Sequence, residues 1–270
     1  MTAQEKLINK NNEDKFICVG LDSDINKIPA HLKTSENPIL DFNRSIIDKT
    51  SNYAAAYKLN FAFYEKDGAD GFEILKSTIE HIPEDILIIA DAKRGDIGNT
   101  SLMYANAVYD YLKCDSITIH PYMGTDSVLP FLDRKDKINF ILALTSNTGA
   151  FDFEKQKLQN GTFLFQQIIN KVKEWNTYNN CGIVFGATKL DELKDNIDLF
   201  GDLFVLLPGV GAQGGSLSDV VKTFKIADRT KYLVNSSRGI IYKDQTKNFA
   251  DSAQKEILNM NEEMKKILDQ

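Results

Sequence analysis

The sequence has few of the residues that bind metals or form disulfides. Its 270 residues include only three cysteines and three histidines. The cysteines Cys18, Cys114 and Cys181 are far apart and form no CxxC pair, so neither a zinc site nor a disulfide framework is predicted. Cys18 and Cys181 lie in apolar runs, where a cysteine is usually a small core residue.

Long apolar runs and an excess of basic residues are also missing. No run approaches the roughly 20 apolar residues of a membrane span, and residues 1–15 lack the apolar core of a signal peptide. The chain has 32 basic and 38 acidic residues, a net charge of −6, which weighs against nucleic-acid and anionic-membrane partners. We expect a cytoplasmic protein with no nucleic-acid or membrane partner, in which an anionic ligand would need locally concentrated cations.

Short apolar runs recur eight times, and each is followed by a polar loop and a helix-like stretch. The runs are Phe16–Asp22, Ala54–Asn60, Ile86–Lys93, Ser116–Pro121, Asn139–Ser146, Cys181–Ala187, Phe204–Val210 and Lys231–Ser237. Most are continuous rather than alternating, as expected of parallel strands that are covered on both faces. Eight strand–helix alternations predict a (β/α)8 TIM barrel, with residues 1–270 as a single catalytic domain. A doubly wound sheet is the alternative.

Between these runs, apolar residues recur at helical spacing. One such stripe, formed by Phe165, Ile168, Ile169 and Val172, is typical of a helix face packed on a sheet. The whole stretch from Asn147 to Asn180 is nevertheless longer than a normal connection between strand and helix. Because long loops in compact domains are often lids, a lid is predicted within it.

The predicted strand ends carry most of the residues that could perform chemistry. They are Asp22, Asp24, Lys58, Asn60, Asp91, Lys93, Asp96, His120, Ser146, Asn147 and Arg238. Active sites of this fold lie at the carboxyl ends of the strands. Asp91 and Lys93 are two residues apart on a strand, so both side chains should face the barrel interior. A salt-bridge network that only stabilises the fold is the weaker interpretation, because burying such charges costs several kcal/mol unless they pair.

A lysine is the best candidate for a proton donor. No histidine adjoins the Asp91–Asp96 segment, and His120, just before Pro121, is expected to be a hydrogen-bonded structural residue. Lys93 is flanked by acids that would hold it protonated.

A glycine-rich segment follows the seventh run. Gly209–Gly214 reads GxGxxG, which alone is a weak dinucleotide fingerprint. Six strands precede the one that leads into this segment, whereas a dinucleotide fingerprint follows the first strand of its unit. The acidic residue about twenty positions on, Asp228, lies before the next strand and not at its end. A single phosphate is therefore the better ligand. Barrels often bind phosphate with the loops after strands seven and eight. Arg238 would add a fixed cation at the start of a short helix.

These segments resemble the orotidine 5′-phosphate decarboxylases over most of the chain, and in detail their longer-chain, type 2-like branch. The signature is Asp91-Ala-Lys-Arg-Gly-Asp-Ile-Gly-Asn-Thr100. The other matching blocks are Tyr57–Asn60, Thr145–Asn147, Pro208–Gly215 and Ser237–Gly239. Thr148 departs from the pattern, since many relatives have proline there.

The resemblance implies conversion of orotidine 5′-phosphate to UMP and CO2, the last step of de novo UMP biosynthesis, without a metal or an organic cofactor. It implies an alternating charge array of catalytic residues, Lys58, Asp91, Lys93 and Asp96, with Lys93 as proton donor to the C6 carbanion. It further implies that the substrate is bound by Asp22, Asn60 and Thr100 near the ribose, Ser146 and Asn147 at the pyrimidine, and Gln213, Gly215 and Arg238 at the phosphate. Asp96 and Thr100 would act in the partner's site, which implies a homodimer with active sites shared across the interface.

Three other functions have some support in the sequence. Magnesium-dependent sugar-phosphate decarboxylases and aldolases share an Asp-x-Lys-x-x-Asp pattern on strand three, but they place a glutamate ligand on strand two. Here Lys58 lies on strand two and would repel the metal. The other two alternatives are a dinucleotide-dependent oxidoreductase, which rests on GxGxxG alone, and a non-catalytic nucleotide-binding protein, which has no need of Lys93 between two aspartates.

Overall fold

A closed barrel of eight parallel strands forms the centre of the computed structural model, which describes residues 1–186, 190–210 and 215–270. The strands, β1 to β8 in chain order, are Ile17–Gly20, Ala56–Asn60, Leu87–Arg94, Ser116–Ile119, Ile138–Leu144, Cys181–Phe185, Phe204–Pro208 and Tyr232–Ser236. Each strand pairs in parallel with the next, and β8 pairs with β1. The predicted (β/α)8 barrel is confirmed.

Helices surround this barrel. In the described residues the α-helices, α1 to α11, are Ala3–Asn12, Pro38–Thr50, Ala62–Glu65, Gly68–His81, Gly98–Ala105, Thr125–Leu132, Leu164–Trp175, Leu190–Asn196, Leu217–Ile226, Arg238–Ile241 and Phe249–Leu268. A π-helical turn, Asn106–Tyr111, extends α5, and 3-10 turns lie at Ala30–Leu32, Thr148–Phe151 and Ile197–Phe200. Throughout these ranges, no helix is both long and apolar enough to cross a membrane.

The first helix closes the amino end of the barrel. Its buried Ala3 and Leu7 belong to the same apolar cluster as Leu87, Phe140 and other residues of the strands. The Lys6 ammonium binds the Asp115 carboxylate just before β4, with an Nζ–Oδ2 distance of 2.8 Å. These contacts join α1 to the amino-end side of the barrel. The carboxyl ends of the strands remain open, and a ligand could bind there.

The stretch from Asn147 to Asn180 is only partly a loop. It begins with a 3-10 turn and contains α7. Of the predicted helical stripe, Phe165, Ile169 and Val172 are buried, and Ile168 is partly buried. The irregular parts are thus the segment between Phe151 and Leu164 and the short turn at residues 176–180. The first of these segments is held by the backbone, since the Phe165 N–H donates to the Glu154 carbonyl at 2.9 Å.

Candidate active site

A cavity of about 300 Å³ opens at the carboxyl ends of the strands. Among the described residues it brings together most of the side chains singled out in the sequence: Asp22, Lys58, Asn60, Asp91, Lys93, Ser146, Asn147 and Arg238. Leu142, Val184 and Leu206, from three successive strands, form an apolar wall of the same cavity. One part of the cavity is therefore charged and another is apolar.

The charged part is organised around Asp91. The Lys58 ammonium donates to Asp91 Oδ2 at 2.8 Å, and the Lys93 ammonium donates to Asp91 Oδ1 at 2.6 Å. Asp22 Oδ1 lies 3.6 Å from the Lys58 Nζ. The register explains the first contact, because Asn60 is opposite Asp91 and the inward-facing Lys58 lies two residues earlier on β2. We call Lys58, Asp91 and Lys93 the charged triad.

Burial and pairing act in opposite directions on the charged triad. Burial alone would raise the pKa of Asp91, but the attraction of Lys58 and Lys93 outweighs it and holds the pKa well below its ordinary value. Burial alone would lower the pKa of Lys58, but Asp91 and Asp22 outweigh it and raise that pKa. At neutral pH, Asp91 and Lys58 are therefore both ionised inside the barrel.

Lys93 differs from Lys58 in its exposure. The Lys93 side chain is 48% exposed, whereas that of Lys58 is 7% exposed. The backbone of Lys93 has φ of 48°, a left-handed conformation that costs a non-glycine residue roughly 1–2 kcal/mol. Lys58 is thus a fixed, buried charge, and Lys93 presents its ammonium to the open cavity.

The far side of the cavity has features suited to an anion. Gly209, after β7, has φ of 97°, which only glycine adopts readily. Arg238, exposed at the start of α10, lines the cavity with Gly209 and Ser237. The predicted short helix after β8 is therefore present. Of the other two predicted phosphate ligands, Gln213 lies outside the described residues, and the Gly215 N–H already donates to the Gly209 carbonyl at 3.1 Å.

Three predicted site residues of the described ranges, Gly215, Asp96 and Thr100, do not line the cavity of their own chain. Asp96 and Thr100 lie beyond the end of β3, on the loop and on α5, and both are partly buried. The Asp96 carboxylate accepts the Ile97 N–H at 2.7 Å. His120 is also outside the cavity. Its ring packs on Gly95, where a Cβ atom would lie 2.6 Å from the ring, so this glycine is needed for close packing.

Sequence reasoning missed several residues of the cavity. Thr118, on β4, binds both Asp91 and Lys93, and Asn235, on β8, is a buried amide that lines the cavity. Glu154 accepts the Thr145 N–H at 2.7 Å and the Thr145 hydroxyl at 2.9 Å, and thereby fixes the chain just before Ser146. Residues two apart on a strand point to the same face, so Thr118 should face the same way as His120. The periodicity of β4 could therefore have indicated that Thr118 faces inward.

The cysteines are structural, as the sequence indicated. Cys18, Cys114 and Cys181 are buried free thiols. Burial raises the pKa of Cys18 to about 12, so this thiol stays protonated and unreactive at neutral pH. Within the described ranges, no three His, Cys, Asp or Glu side chains gather as a metal site.

A parallel (β/α)8 barrel with ionised side chains gathered at the carboxyl ends of its strands has the architecture of an enzyme. The family model described as "Orotidine 5′-phosphate decarboxylase / HUMPS family" matches residues 15–253. The chain therefore belongs to the orotidine 5′-phosphate decarboxylase / HUMPS family.

Individual relatives agree with this assignment. A curated orotidine 5′-phosphate decarboxylase from Flavobacterium johnsoniae is 48% identical, covering 100% of this chain and 99% of the relative. One from Phocaeicola vulgatus is 46% identical, with 99% of each chain covered. The solved structure of Leishmania donovani OMP decarboxylase is 31% identical, has a TM-score of 0.83, and covers 98% of this chain and 99% of its own. The predicted enzyme class, a carboxy-lyase, is confirmed.

The charged triad predicts a specific loss of stability in Asp91→Asn. The neutral amide leaves the buried Lys58 without its closest anion, so we expect unfolding at pH 7 to become about 3–5 kcal/mol easier in urea denaturation. Because the folded-state pKa of Asp91 lies below its unfolded value of about 3.9, the wild-type advantage should be complete near neutrality and shrink as the pH falls below about 4.

The exposed Asp133 provides the matched control, since Asp133→Asn should change stability by less than about 0.5 kcal/mol. Equal stability of Asp91→Asn and wild type at pH 7 would show that the pairing does not stabilise the folded state.

Proposed function

We propose that this chain, acting as one catalytic domain, converts orotidine 5′-phosphate to UMP and CO2 with no metal or organic cofactor. The observation that carries the proposal is the charged triad, in which an anion is held between two ammonium groups at the wall of a cavity. The relatives' names agree with this substrate.

Decarboxylation at C6 depends more on electrostatic stabilisation of the developing carbanion than on general acid–base catalysis. Loss of CO2 breaks the bond from C6 to the carboxylate carbon and leaves the electron pair on C6, where no ring carbonyl can delocalise it well. The Lys93 ammonium would stabilise that charge and give its proton to C6. The resulting neutral amine can regain a proton from solvent, because the Lys93 side chain is about half exposed.

Asp91 and Lys58 would prepare Lys93 for this step. Asp91, whose low pKa keeps it ionised, would orient the Lys93 ammonium and would repel the nearby substrate carboxylate. Lys58 neutralises part of that charge and keeps Asp91 in place from its other oxygen. These fixed charges need no rearrangement when the reaction begins, which is the basis of electrostatic preorganisation.

The remaining cavity residues fit the parts of the nucleotide. Asp22 and Asn60 would bind ribose hydroxyls, Ser146 and Asn147 the pyrimidine edge, and Arg238 the phosphate, with Gln213 and the backbone near Gly215. The apolar wall of Leu142, Val184 and Leu206 would exclude water from the reacting carbon. Phosphate binding far from C6 would supply binding energy for assembling the site.

We further propose a homodimer in which Asp96 and Thr100 complete the partner's site. Neither residue lines the cavity of its own chain. Exposed apolar side chains lie nearby, just before α5 (Ile97, 55% exposed), on α5 (Leu102, 41%, and Met103, 58%) and on the adjoining α6 (Leu129, 44%). The Ser101 hydroxyl holds the two helices together by donating to the Ser127 carbonyl at 2.8 Å. Several exposed apolar side chains on two adjoining helices are compatible with a subunit interface.

A magnesium-dependent reaction, found in relatives with a similar strand-three pattern, is less compatible with the charged triad. The Lys58 ammonium lies 2.8 Å from Asp91, where it supplies the positive charge that a divalent cation would bring. A cation bound to Asp91 would have to lie beside two ammonium groups, and like charges at such distances repel.

Replacing Lys93 tests the proposed proton donor. We expect Lys93→Ala to lower kcat with orotidine 5′-phosphate by about 1,000-fold or more, since both charge stabilisation and proton transfer are lost. The exposed Lys255 on α11 gives a matched control, and Lys255→Ala should keep wild-type kinetics. Near-normal turnover by a folded Lys93→Ala protein would refute the role.

Replacing Arg238 tests the phosphate contact. Arg238→Ala should raise KM for orotidine 5′-phosphate by about 10- to 100-fold, the equivalent of a lost charged hydrogen bond. Turnover of phosphate-free orotidine, measured in parallel, should not change. Arg44→Ala, at an exposed position on α2, serves as the control. An equal loss with both substrates would contradict phosphate recognition by Arg238.

Mixing two inactive variants tests the shared site. In a hybrid of Lys93→Ala with Asp96→Ala, one site contains both wild-type residues and the other contains neither. Random pairing makes half of the dimers hybrids, so we expect about one quarter of wild-type activity to return on co-refolding. If Asp96 serves its own chain, the mixture stays as inactive as its components.

A further inference from the structure

Thr118 has a buried hydroxyl that lies beside Asp91 and Lys93 of the charged triad. It is not among the site residues predicted from the sequence. It lies on β4, is 1% exposed, and lines the cavity. Its hydroxyl donates to Asp91 Oδ1 at 3.0 Å and accepts the Lys93 N–H at 3.1 Å. Oδ1 of Asp91 is the oxygen that also accepts the Lys93 ammonium, at 2.6 Å.

The strand pairing explains why the Lys93 N–H needs this acceptor. On β3 and β4, Ala90 is opposite Ile117 and Arg94 is opposite Ile119. Three residues of β3, from Asp91 to Lys93, therefore stand opposite Thr118 alone, and the backbone ladder is interrupted there. The Thr118 hydroxyl takes the place of the missing backbone acceptor and satisfies an N–H that would otherwise lack one.

The same interruption holds Lys93 in its unusual conformation. With φ of 48°, Lys93 is in a region that side-chain-bearing residues seldom adopt unless their surroundings fix them. Hydrogen bonds from Lys93 N to Thr118, from Thr118 to Asp91, and from the Lys93 Nζ back to Asp91 form a closed ring. A hydroxyl suits this position because its single oxygen both donates and accepts, and because a threonine side chain is short enough to fit between Lys93 and Asp91.

We propose that Thr118 is a positioning residue that sets the direction of the Lys93 ammonium relative to Asp91. The inference rests on the proposed function in one respect, namely that Lys93 is the reacting group. Thr118 acts through Lys93 and Asp91. It aligns the Lys93 ammonium with the reacting carbon in the transition state and contributes less to substrate affinity.

Two substitutions separate the hydroxyl from the packing volume. Thr118→Val keeps the shape and removes both hydrogen bonds, whereas Thr118→Ser keeps the hydroxyl. Thr223→Val is the matched control, because Thr223 is 6% exposed and its hydroxyl donates to the Asp219 carbonyl within α9, its one partner among the residues that the structure describes. We expect Thr118→Val to lower kcat by about 10- to 100-fold with KM within about threefold, and Thr118→Ser to restore most of kcat.

A kinetic outcome of the opposite kind would overturn the proposal. If Thr118→Val and Thr223→Val lose similar stability and both keep wild-type kcat, or if Thr118→Ser fails to recover activity that Thr118→Val loses, the hydroxyl does not position Lys93.

Crystal structures of the variants decide the same question without any assay. In Thr118→Val, Lys93 should leave the positive-φ region, and its Nζ should move beyond about 3.5 Å from Asp91 Oδ1. In Thr118→Ser both should stay as in wild type. Unchanged Lys93 geometry in Thr118→Val would overturn the inference, even if the protein proved to act on another substrate. If wild type is inactive on orotidine 5′-phosphate but Thr118→Val shows the predicted geometric change, only the proposed function is refuted.

Discussion

The attraction between Asp91 and its two lysines is the interaction on which the site depends. A carboxylate buried in a barrel would ordinarily be protonated, and a buried lysine would ordinarily be neutral. Each is kept charged here by the other, as the lowered pKa of Asp91 and the raised pKa of Lys58 show. The arrangement requires that β2 and β3 run side by side in a fixed register, and this is a property of the whole barrel.

The rest of the fold serves that register. The first helix closes the amino end of the barrel, where Lys6 and Asp115 pair, and the cavity that contains the charged triad opens at the carboxyl end. The interruption between β3 and β4 turns Lys93 toward the cavity, while Lys58 on β2 stays buried. Two residues with the same functional group thus differ in their surroundings, since Lys58 is a buried, fixed charge and the Lys93 ammonium faces the open cavity.

The barrel could be predicted from the sequence because eight continuous apolar runs, each followed by a helical stretch, are typical of very few architectures. Asp22, Lys58, Asp91 and Arg238 could be found because strand ends in this fold converge on one cavity. The inward-facing position of Thr118 could have been predicted from the periodicity of β4, but its hydrogen bonds to Lys93 and Asp91 could not, since they depend on a local change of register that no residue type signals. The bounds of the loop within residues 147–180 could not be predicted, because loop length does not show where α7 begins to pack on the barrel.

The central claim is that fixed protein charges, without a bound metal, carry out the decarboxylation. The most direct test is turnover of orotidine 5′-phosphate by protein stripped of metal and assayed with excess chelator, with UMP formation followed spectrophotometrically. The charged triad predicts full activity, unchanged when magnesium is added back. Activity that disappears with chelator and returns with magnesium would contradict it, and would mean that the charged triad serves another reaction.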